Sequence, residues 1–289
     1  MHFFQKFIQM GSMMATGRLG KITSGHMFNR RVAIKHLSMH HFELNEDYMR
    51  DLRAFSKFDY EYLIRIEGFV TKSYPNLIIM ELMDLGTLQK YILGPENKPE
   101  IIYPSMMRDI ADGMAFLHAH RFILRHLDMD HVMVSSAGGS AIPIFKLKLS
   151  SKYIIENGTE SRDHISVRQL APEVIQQRRF TPESDIWSFG VLMWQVIAQN
   201  EEPYWGLSSQ QVIDAVRGGW RLPKPNLSAG HISEKLNDDL HELMLICWED
   251  LPPLRTPAKV IQAKLEQIIQ NLAELSDDNK NDNIPGIPV

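Results

Sequence analysis

Two different hydrophobic periodicities divide the chain. Up to about residue 79 the apolar residues form short runs separated by turns, and each run is typical of a β-strand: RLGKITSG, RRVAIKHL, YLIRIEGFV and NLIIMEL. One helical stretch, residues 46–58, interrupts these runs, because Tyr48, Leu52 and Phe55 recur at three- and four-residue spacing. The first part of the chain is therefore predicted to be a small strand-rich unit with one helix.

Helical patterns dominate from Leu88 onward. The segment YPSMMRDIADGMAFLHAH is amphipathic, whereas SDIWSFGVLMWQVIAQ is apolar nearly all round, which predicts a buried central helix. Two further helices are predicted from HELMLICWEDL and PAKVIQAKLEQIIQNLAEL. The last residues, 276–289, are polar and offer little to bury, so a disordered tail is expected there.

Composition narrows the class of partner and compartment. The 289 residues carry a net charge of −4, which gives no reason to expect nucleic acid or an anionic membrane surface as a partner. Cys247 is the only cysteine, so no disulfide can form within the chain, and we expect a cytoplasmic location. The start, MHFFQKFIQM, is too short and too interrupted for a signal peptide or a membrane span.

Five short motifs then occur in one order along the chain. ATGRLGKITSG has glycines at the spacing that lets backbone N–H groups close over phosphates. Each motif alone is weak evidence, but the ordered set makes chance implausible. The other four are VAIK at 32–35, LAPE at 170–173, SDIWSFG at 184–190 and CW at 247–248.

With these motifs the chain resembles a protein kinase domain of the tyrosine-kinase group, and ephrin receptor kinases in particular. KFDYEYLIRIEGFVTKSYPNLIIMELMDLGTL and LHELMLICWEDLPPLRTP look like segments of those kinases. The resemblance implies an α+β, bilobal kinase-like fold that binds nucleotide between its lobes. A small strand-rich N-lobe would take residues 1–83, and a larger helical C-lobe would take residues 84–275.

The resemblance also implies nucleotide-binding positions. Lys35 stands where kinases pair a lysine with the phosphates, and Asp51 stands where their first helix usually carries a glutamate. Ordinary core packing would account equally well for the apolar residues among these positions. ATP is therefore expected as a possible ligand, and no cofactor is expected to be required. The implied positions are Gly17, Gly20, Ile22, Ala33, Lys35, Asp51, Met80, Glu81, Met83 and Met133.

The positions that perform chemistry in kinases differ in this chain. In LRHLDMDHVMV, His126 replaces the family's catalytic Asp and His131 replaces its metal-binding Asn. Leu149 stands where the family keeps a second metal-binding Asp. Because Mg²⁺ prefers hard oxygen ligands, we expect no metal site, and any ATP should bind without Mg²⁺. These positions predict that the chain is not an enzyme but a pseudokinase that acts as a signalling scaffold or allosteric binding module.

Three alternatives stay open. Asp128 is a substitute base if the motif is displaced by two residues, which would make the chain a weak or unconventional ATP-dependent protein kinase. A zinc site from the two His and two Asp of this loop is disfavoured, because adjacent residues of one loop do not easily converge on one ion. The third alternative is a nucleotide-gated switch.

Partners are predicted only by class. A binding module of this kind would engage other signalling proteins, an active kinase among them. The chain ends in Ile287-Pro288-Val289, with the apolar spacing that PDZ domains recognise at a C-terminus. Within the C-lobe, Glu173 and Arg255 are expected to form a buried ion pair.

Overall fold

The computed structural model describes residues 7–17, 20–37, 46–71, 76–136, 142–149, 166–227 and 231–281. The chain forms two compact units: the first takes Met1–Tyr91 and Asp130–Ile165, and the second takes Ile92–Met129 and Ser166–Val289. The sequence predicts one boundary between residues 83 and 84, whereas the chain returns to the first unit after Met129. The reason is a small sheet that pairs strands from both parts of the first unit.

The first unit is built on antiparallel sheets. Its larger sheet has the order β1-β2-β3-β5-β4, and its smaller sheet has the order β6-β7-β8. One helix, α1 (Glu46–Phe55), accompanies the larger sheet in the sequence. The strands are β1 (Ile8–Gly17), β2 (Gly20–Met27), β3 (Arg30–Leu37), β4 (Ile66–Val70), β5 (Asn76–Glu81), β6 (Gly86–Thr87), β7 (Val132–Ser135) and β8 (Ile144–Leu147).

One face of the larger sheet forms a hydrophobic core. Side chains alternate between the faces of a strand, and directly paired residues of neighbouring strands share a face. Val32 and Ile34 of β3 therefore pack with Leu77 and Ile79 of β5, and all four are almost completely buried. The alternate residues of the same strands are left to line the opposite face.

Strand β1 is a feature that the sequence pattern does not predict. It pairs with β2 along the edge of the sheet, with register shifts near Met10 and Met13. Met13 is 68% exposed and its neighbour Met14 is 47% exposed, so neither face of this strand is buried as a whole. Without a buried face the strand shows no alternation of apolar and polar residues, which is the signal by which strands are recognised.

Gly20 is required by the approach of two strands. Its φ is +133°, a conformation that side chains disfavour, and a Cβ there would lie 1.8 Å from the carbonyl oxygen of His36. Packing of β2 against β3 therefore accounts for this glycine by itself. The glycine spacing in the sequence is consequently no independent sign of phosphate binding at Gly20.

The second unit is helical. Its central helix, α5, is buried along nearly its whole length, as the sequence predicts, and Thr181 and Ser184 form a capping box at its start. Ser208 and Gln211 cap the next helix in the same way. The helices from α2 onward are α2 (Leu88–Ile92), α3 (Ile102–Ala119), α4 (Pro172–Gln177), α5 (Pro182–Ile197), α6 (Ser209–Arg217), α7 (Glu234–Cys247) and α8 (Ala258–Asn281).

The last helix extends into the segment predicted to be disordered. Helix α8 continues to Asn281, so residues 276–281 are helical rather than disordered. Extending an existing helix needs no new nucleation, and polar residues are tolerated at its end. The remaining residues, 282–289, lie outside the described part of the chain.

None of the described helices combines the length and the apolar composition that crossing a membrane requires.

The predicted Glu173–Arg255 pair is present in the second unit. The Arg255 guanidinium donates to both carboxylate oxygens of Glu173, at 2.6 and 2.8 Å, and its side chain has no exposed area. It also donates to the carbonyl oxygens of Glu183 and Glu249 and lies over the ring of Trp187. Arg255 therefore joins α4, the start of α5 and the end of α7.

Replacing Arg255 with alanine should destabilise the second unit strongly. The change leaves the Glu173 carboxylate without its main counter-charge and removes four hydrogen bonds, and breaking a buried pair costs about 3–5 kcal/mol. Thermal unfolding followed by circular dichroism measures this loss. Arg179→Ala removes an exposed arginine and is the matched control. Equal melting temperatures for the two variants would contradict the structural role of the pair.

Candidate active site

The predicted adenine- and phosphate-binding residues of β2, β3 and β5 share one face of the larger sheet. Lys35 pairs with Ile22 on one side and with Ile78 on the other, and Ala33 pairs with Met80. Since paired residues lie on the same face and Ala33 and Lys35 are two residues apart, all of them face away from the core cluster. The register therefore brings Ile22, Ala33, Lys35 and Met80 together, as a nucleotide site requires.

Lys35 is a half-buried cation with a second cation nearby. Burial is the main cause that lowers the pKa of Lys35 to about 8, and the positive charge of Lys148 is the second cause. Lys148 follows β8, and its ammonium group lies 3.8 Å from the sulfur of Met133, the residue predicted to lie beneath the adenine. The first unit thus concentrates positive charge beside residues that are predicted to bind nucleotide.

Asp51 lies on α1, at the helix position that the sequence predicts. Its carboxylate is 3.8 Å from Nε of Arg50, and its side chain is 19% exposed. The ion pair between Asp51 and Lys35 stays a prediction. Arg50 is a competing partner for this carboxylate, and the sequence alone does not reveal that contact.

Glu81, at the predicted hinge, has a structural role for its side chain. Its carboxylate accepts two hydrogen bonds of 3.0 Å from Nζ of Lys146 and one of 2.7 Å from the backbone N–H of Arg65. These contacts connect β5 with β8 and with the residues before β4. The side chain of Glu81 is thereby engaged within the protein, and its backbone N–H donates to the carbonyl oxygen of Arg65 at 3.0 Å.

The remaining predicted nucleotide residues lie in the first unit as well. Met83 is 3% exposed, and its carbonyl oxygen accepts a hydrogen bond from the N–H of Gly86. Met133 lies on β7 opposite Lys146 of β8, and Gly17 is the last residue of β1, opposite Gly20. Nucleotide binding by the ten predicted residues stays a prediction, but all ten are described.

The loop before β7 is fixed at its start by a buried carboxylate. Asp185 of α5 is 1% exposed and accepts hydrogen bonds from the backbone N–H groups of Leu124 and Arg125, at 2.8 and 2.9 Å. Nε2 of His118 lies 3.1 Å from the same carboxylate. Arg125 has a φ of +65°, which turns the chain at this point. The backbone that leads to His126 is therefore held rigidly.

His126 and Asp128 form a buried hydrogen-bonded pair. Nε2 of His126 lies 2.9 Å from Oδ2 of Asp128, and the side chains are 1% and 12% exposed, respectively. Both residues are buried, and Asp128 is the less enclosed of the two. The arrangement is a buried imidazole hydrogen-bonded to a carboxylate, and orientation by a hydrogen-bonded neighbour is a feature of catalytic bases.

His131 lies at the end of the same loop, and its side chain is buried as well. Its carbonyl oxygen accepts a hydrogen bond of 2.9 Å from the N–H of Lys148, the residue before Leu149. Leu149 is 7% exposed and offers no ligand atom for a metal. Ser150 and Ser151, which complete the family's second metal-binding motif, lie outside the described residues.

The loop side chains converge more closely than the sequence suggests. One ligand atom each from His126, Asp128 and His131 lies within 4.8 Å of the other two, and all three residues are buried. They belong to one segment, 126–131, so the convergence is local to the loop. These three ligand groups therefore lie closer together than neighbouring positions on one loop suggest, whereas the expected absence of a metal site stays a prediction.

Sequence reasoning missed two residues of this site. Lys148 and Lys146 alternate with the buried residues Phe145 and Leu147, which is the pattern of any half-buried strand. Nothing in that alternation predicts that Lys148 lies beside Met133 or that Lys146 binds Glu81. Only the pairing of β8 with β7 places these cations, and a single sequence does not reveal that register.

Comparison with known proteins gives one consistent result. Residues 8–265 match the family described as protein tyrosine and serine/threonine kinase. Ephrin type-B receptor 1 of Gallus gallus is 32% identical over 282 residues, which are 93% of this chain and 28% of that protein. Ephrin type-A receptor 7 of Gallus gallus is 32% identical over 277 residues, 91% of this chain and 27% of that protein.

A further relative agrees. Ephrin type-B receptor 4b of Danio rerio is 29% identical over 296 residues, 98% of this chain and 29% of that protein. The chain thus spans less than a third of the length of the curated relatives it matches. The expected resemblance to kinases, with ephrin receptors among the relatives, and the expected α+β fold with a strand-rich and a helical part are confirmed.

These comparisons contradict the prediction that the chain is not an enzyme. That prediction rests on His126, His131 and Leu149, whereas the match to a kinase family extends over nearly the whole chain. It also keeps Asp128 only as an alternative base. In the structure the loop retains a carboxylate at Asp128, and His126 holds that carboxylate in place.

The affinity for ATP should fall as the pH rises through the pKa of Lys35. Below a pH of about 8 the lysine is protonated and attracts the phosphates, and above it the lysine is neutral. Lys35→Met should weaken binding about 10- to 100-fold at pH 7, the value of one charge-assisted contact, and should remove the pH dependence. Mg²⁺ should not tighten binding, because Leu149 provides no ligand for it.

Thermal shift and calorimetric titration with ATP at several pH values measure both effects. Lys35→Arg is the matched control, since arginine stays charged throughout the range and should give a flat pH profile. Absence of any thermal shift with millimolar ATP would contradict nucleotide binding on this face. A shift that requires Mg²⁺ would contradict the metal-free interpretation.

Proposed function

The chain belongs to the protein tyrosine and serine/threonine kinase family, and we propose that within it the chain is a slow, unconventional ATP-dependent protein kinase that uses Asp128 as its base. The observation that carries this proposal is the hydrogen bond of 2.9 Å between Nε2 of His126 and Oδ2 of Asp128. It supplies an oriented carboxylate to a loop whose family base position is occupied by His126.

Asp128 suits the role of proton acceptor better than His126. The His126 side chain is 1% exposed and that of Asp128 is 12% exposed, so of the two groups the carboxylate is the less enclosed. His126 then holds the carboxylate in one orientation, as the third group does in other oriented bases. The backbone contacts of Leu124 and Arg125 with Asp185 keep this pair from shifting as the substrate binds.

The proposed reaction is the ordinary one of the family. The hydroxyl oxygen of a protein side chain attacks the γ-phosphorus of ATP, and the bond between that phosphorus and the β–γ bridging oxygen breaks. ADP leaves with the electron pair of that bond, and the hydroxyl proton passes to Asp128. By the resemblance to the tyrosine-kinase group, the substrate hydroxyl is that of a tyrosine.

Positive charge from the first unit supports the phosphates in this proposal. Lys35 and Lys148 lie close enough for Lys148 to lower the pKa of Lys35, so a bound polyanion would stabilise both charged lysines. Such charge is a partial replacement for Mg²⁺, since phosphoryl transfer depends mainly on positioning and on neutralisation of the phosphates. The positive charge of the two lysines is more spread out than that of a divalent ion held between two phosphates.

The turnover should consequently be low. Typical kinases turn over at about 1–100 per second, and the loss of an ideally placed base costs about 10²–10⁴ in rate. A rate on the order of 10⁻³ per second is expected, which single-turnover assays can detect. The proposed role in binding other signalling proteins, an active kinase among them, is compatible with such a rate and stays a prediction.

A PDZ domain as partner also stays a prediction. Its recognition residues would be Ile287–Val289, which lie outside the described part of the chain. A nucleotide-gated switch would use the same Lys35 face and is distinguished from catalysis by the assay that follows.

Asp128→Asn should reduce phosphoryl transfer to the background level. The amide keeps the size of the side chain and its contact with His126 but is not a base, so a loss of at least about 100-fold is expected. Single-turnover transfer from radiolabelled ATP to a tyrosine-containing peptide, at protein concentrations in excess of ATP, measures it. Lys35→Met identifies the chain itself as the source of any activity.

Asp130→Asn is the matched control, because Asp130 lies in the same loop but is exposed. This variant should retain the activity of the wild type. Equal rates for Asp128→Asn and wild type would remove Asp128 as the base. Absence of transfer by wild-type protein that binds ATP would favour the nucleotide-gated switch instead.

A further inference from the structure

The loop that carries the proposed base also contains a complete set of metal ligands. His126, Asp128 and His131 offer two imidazole nitrogens and one carboxylate oxygen, with the three ligand atoms within 4.8 Å of one another. We propose that these three residues form a site for a divalent transition-metal ion, with Zn²⁺ as the best match. This inference rests on the proposed function, because the ion would bind to the loop that carries the proposed base.

The distances fit an ion of this size. Zinc binds imidazole nitrogen and carboxylate oxygen at about 2.0–2.2 Å, so tetrahedral ligand atoms stand roughly 3.3 Å apart. The distance of 2.9 Å between His126 and Asp128 is shorter than this ligand spacing. The largest separation allowed within the cluster, 4.8 Å, is longer. Binding of an ion would therefore require the three side chains to adjust to that spacing.

The backbone around the cluster is fixed before any ion binds. At one end, Leu124 and Arg125 donate to the buried carboxylate of Asp185. At the other end, the carbonyl oxygen of His131 accepts a hydrogen bond of 2.9 Å from the N–H of Lys148. A site held in this way needs little ordering when it binds an ion, and prior ordering favours affinity.

The donor set selects the kind of metal. Imidazole nitrogen suits zinc, cobalt and other transition metals, whereas Mg²⁺ prefers carboxylate, carbonyl and water oxygens. The replacement of the family's Asp and Asn by His126 and His131 thus changes the preferred ion rather than only removing a site. Three protein ligands also match the catalytic zinc sites that keep one position open, here for a phosphate oxygen or a water.

Such an ion is consistent with the proposed reaction. In the metal-bound state the ion would replace the hydrogen bond between His126 and Asp128 as the group that orients the carboxylate. The carboxylate oxygen that does not bind the ion would remain as the proton acceptor, although the ion's charge would make it a weaker base. The ion would supply concentrated positive charge to the γ-phosphate, which Leu149 and the two lysines do not supply. Its addition should therefore raise the slow transfer rate, whereas Mg²⁺ should not.

Titration of the full chain with Zn²⁺, and with Co²⁺ as a spectroscopic probe, tests the site. One equivalent of Zn²⁺ should bind tightly in isothermal calorimetry, and Co²⁺ should give the intense visible absorption of a four-coordinate nitrogen–oxygen site. An equal concentration of Mg²⁺ should displace neither ion. The removal of one of three ligands by His131→Asn or Asp128→Asn should weaken Zn²⁺ binding at least about 100-fold.

His131→Asn is the most informative variant, because it restores the residue that the family uses and keeps a polar side chain there. A double variant, His40→Ala with His41→Ala, removes a neighbouring histidine pair elsewhere in the sequence and controls for adventitious binding. It should bind Zn²⁺ as the wild type does. Melting temperatures measured without metal show whether each variant is folded.

The outcomes separate this inference from the proposed function. Equal Zn²⁺ affinity in wild type and in folded His131→Asn and Asp128→Asn, or loss of binding only in the His40/His41 variant, overturns the metal site. Phosphoryl transfer that persists in chelated protein leaves the proposed function intact in that case. Specific Zn²⁺ binding without any transfer supports the metal site and overturns the kinase proposal.

Discussion

The buried carboxylate of Asp185 is the constraint on which the candidate chemistry depends. A carboxylate that is 1% exposed requires several hydrogen-bond donors, and here they are the N–H groups of Leu124 and Arg125 and the ring of His118. Because two of these donors are backbone groups, the fold itself rather than any loop side chain fixes where the loop begins. The residues that follow can change identity without losing their place, which explains how His126 stands where the family has an acid.

The second constraint is the register of the larger sheet. The pairing of Lys35 with Ile22 and Ile78, and of Ala33 with Met80, assigns these residues to the face opposite the core. A shift of one residue in β3 would turn Ala33 and Lys35 toward the core face and would move Val32 and Ile34 to the opposite face. Core packing therefore preserves this face whether or not nucleotide binds to it. Kinase-like residues on this face are evidence for the sheet and not by themselves evidence for nucleotide binding.

The sequence predicted the parts of the fold that have a strong periodicity. The buried helix α5, the strand pattern around VAIK and the Glu173–Arg255 pair follow from apolar patterning and from ordered motifs. Strand β1 was not predicted, because an exposed edge strand needs no alternation, and the end of α8 was misjudged, because polar residues can extend a formed helix. Convergence in the loop could not be predicted either, since it depends on backbone turns such as the positive φ of Arg125.

The same limit applies to the chemistry of this chain. Motif comparison scores each position against the family's residue, so His126, His131 and Leu149 count as three separate losses. In three dimensions His126 and His131 lie beside Asp128, and one nitrogen or oxygen atom from each of the three residues lies within 4.8 Å of the other two. An active site is defined by which atoms meet and at what distance, and several sets of residues satisfy that requirement. Loss of the family's residues is therefore evidence against the family's own metal and base, but it does not by itself exclude another base or another metal at the same loop.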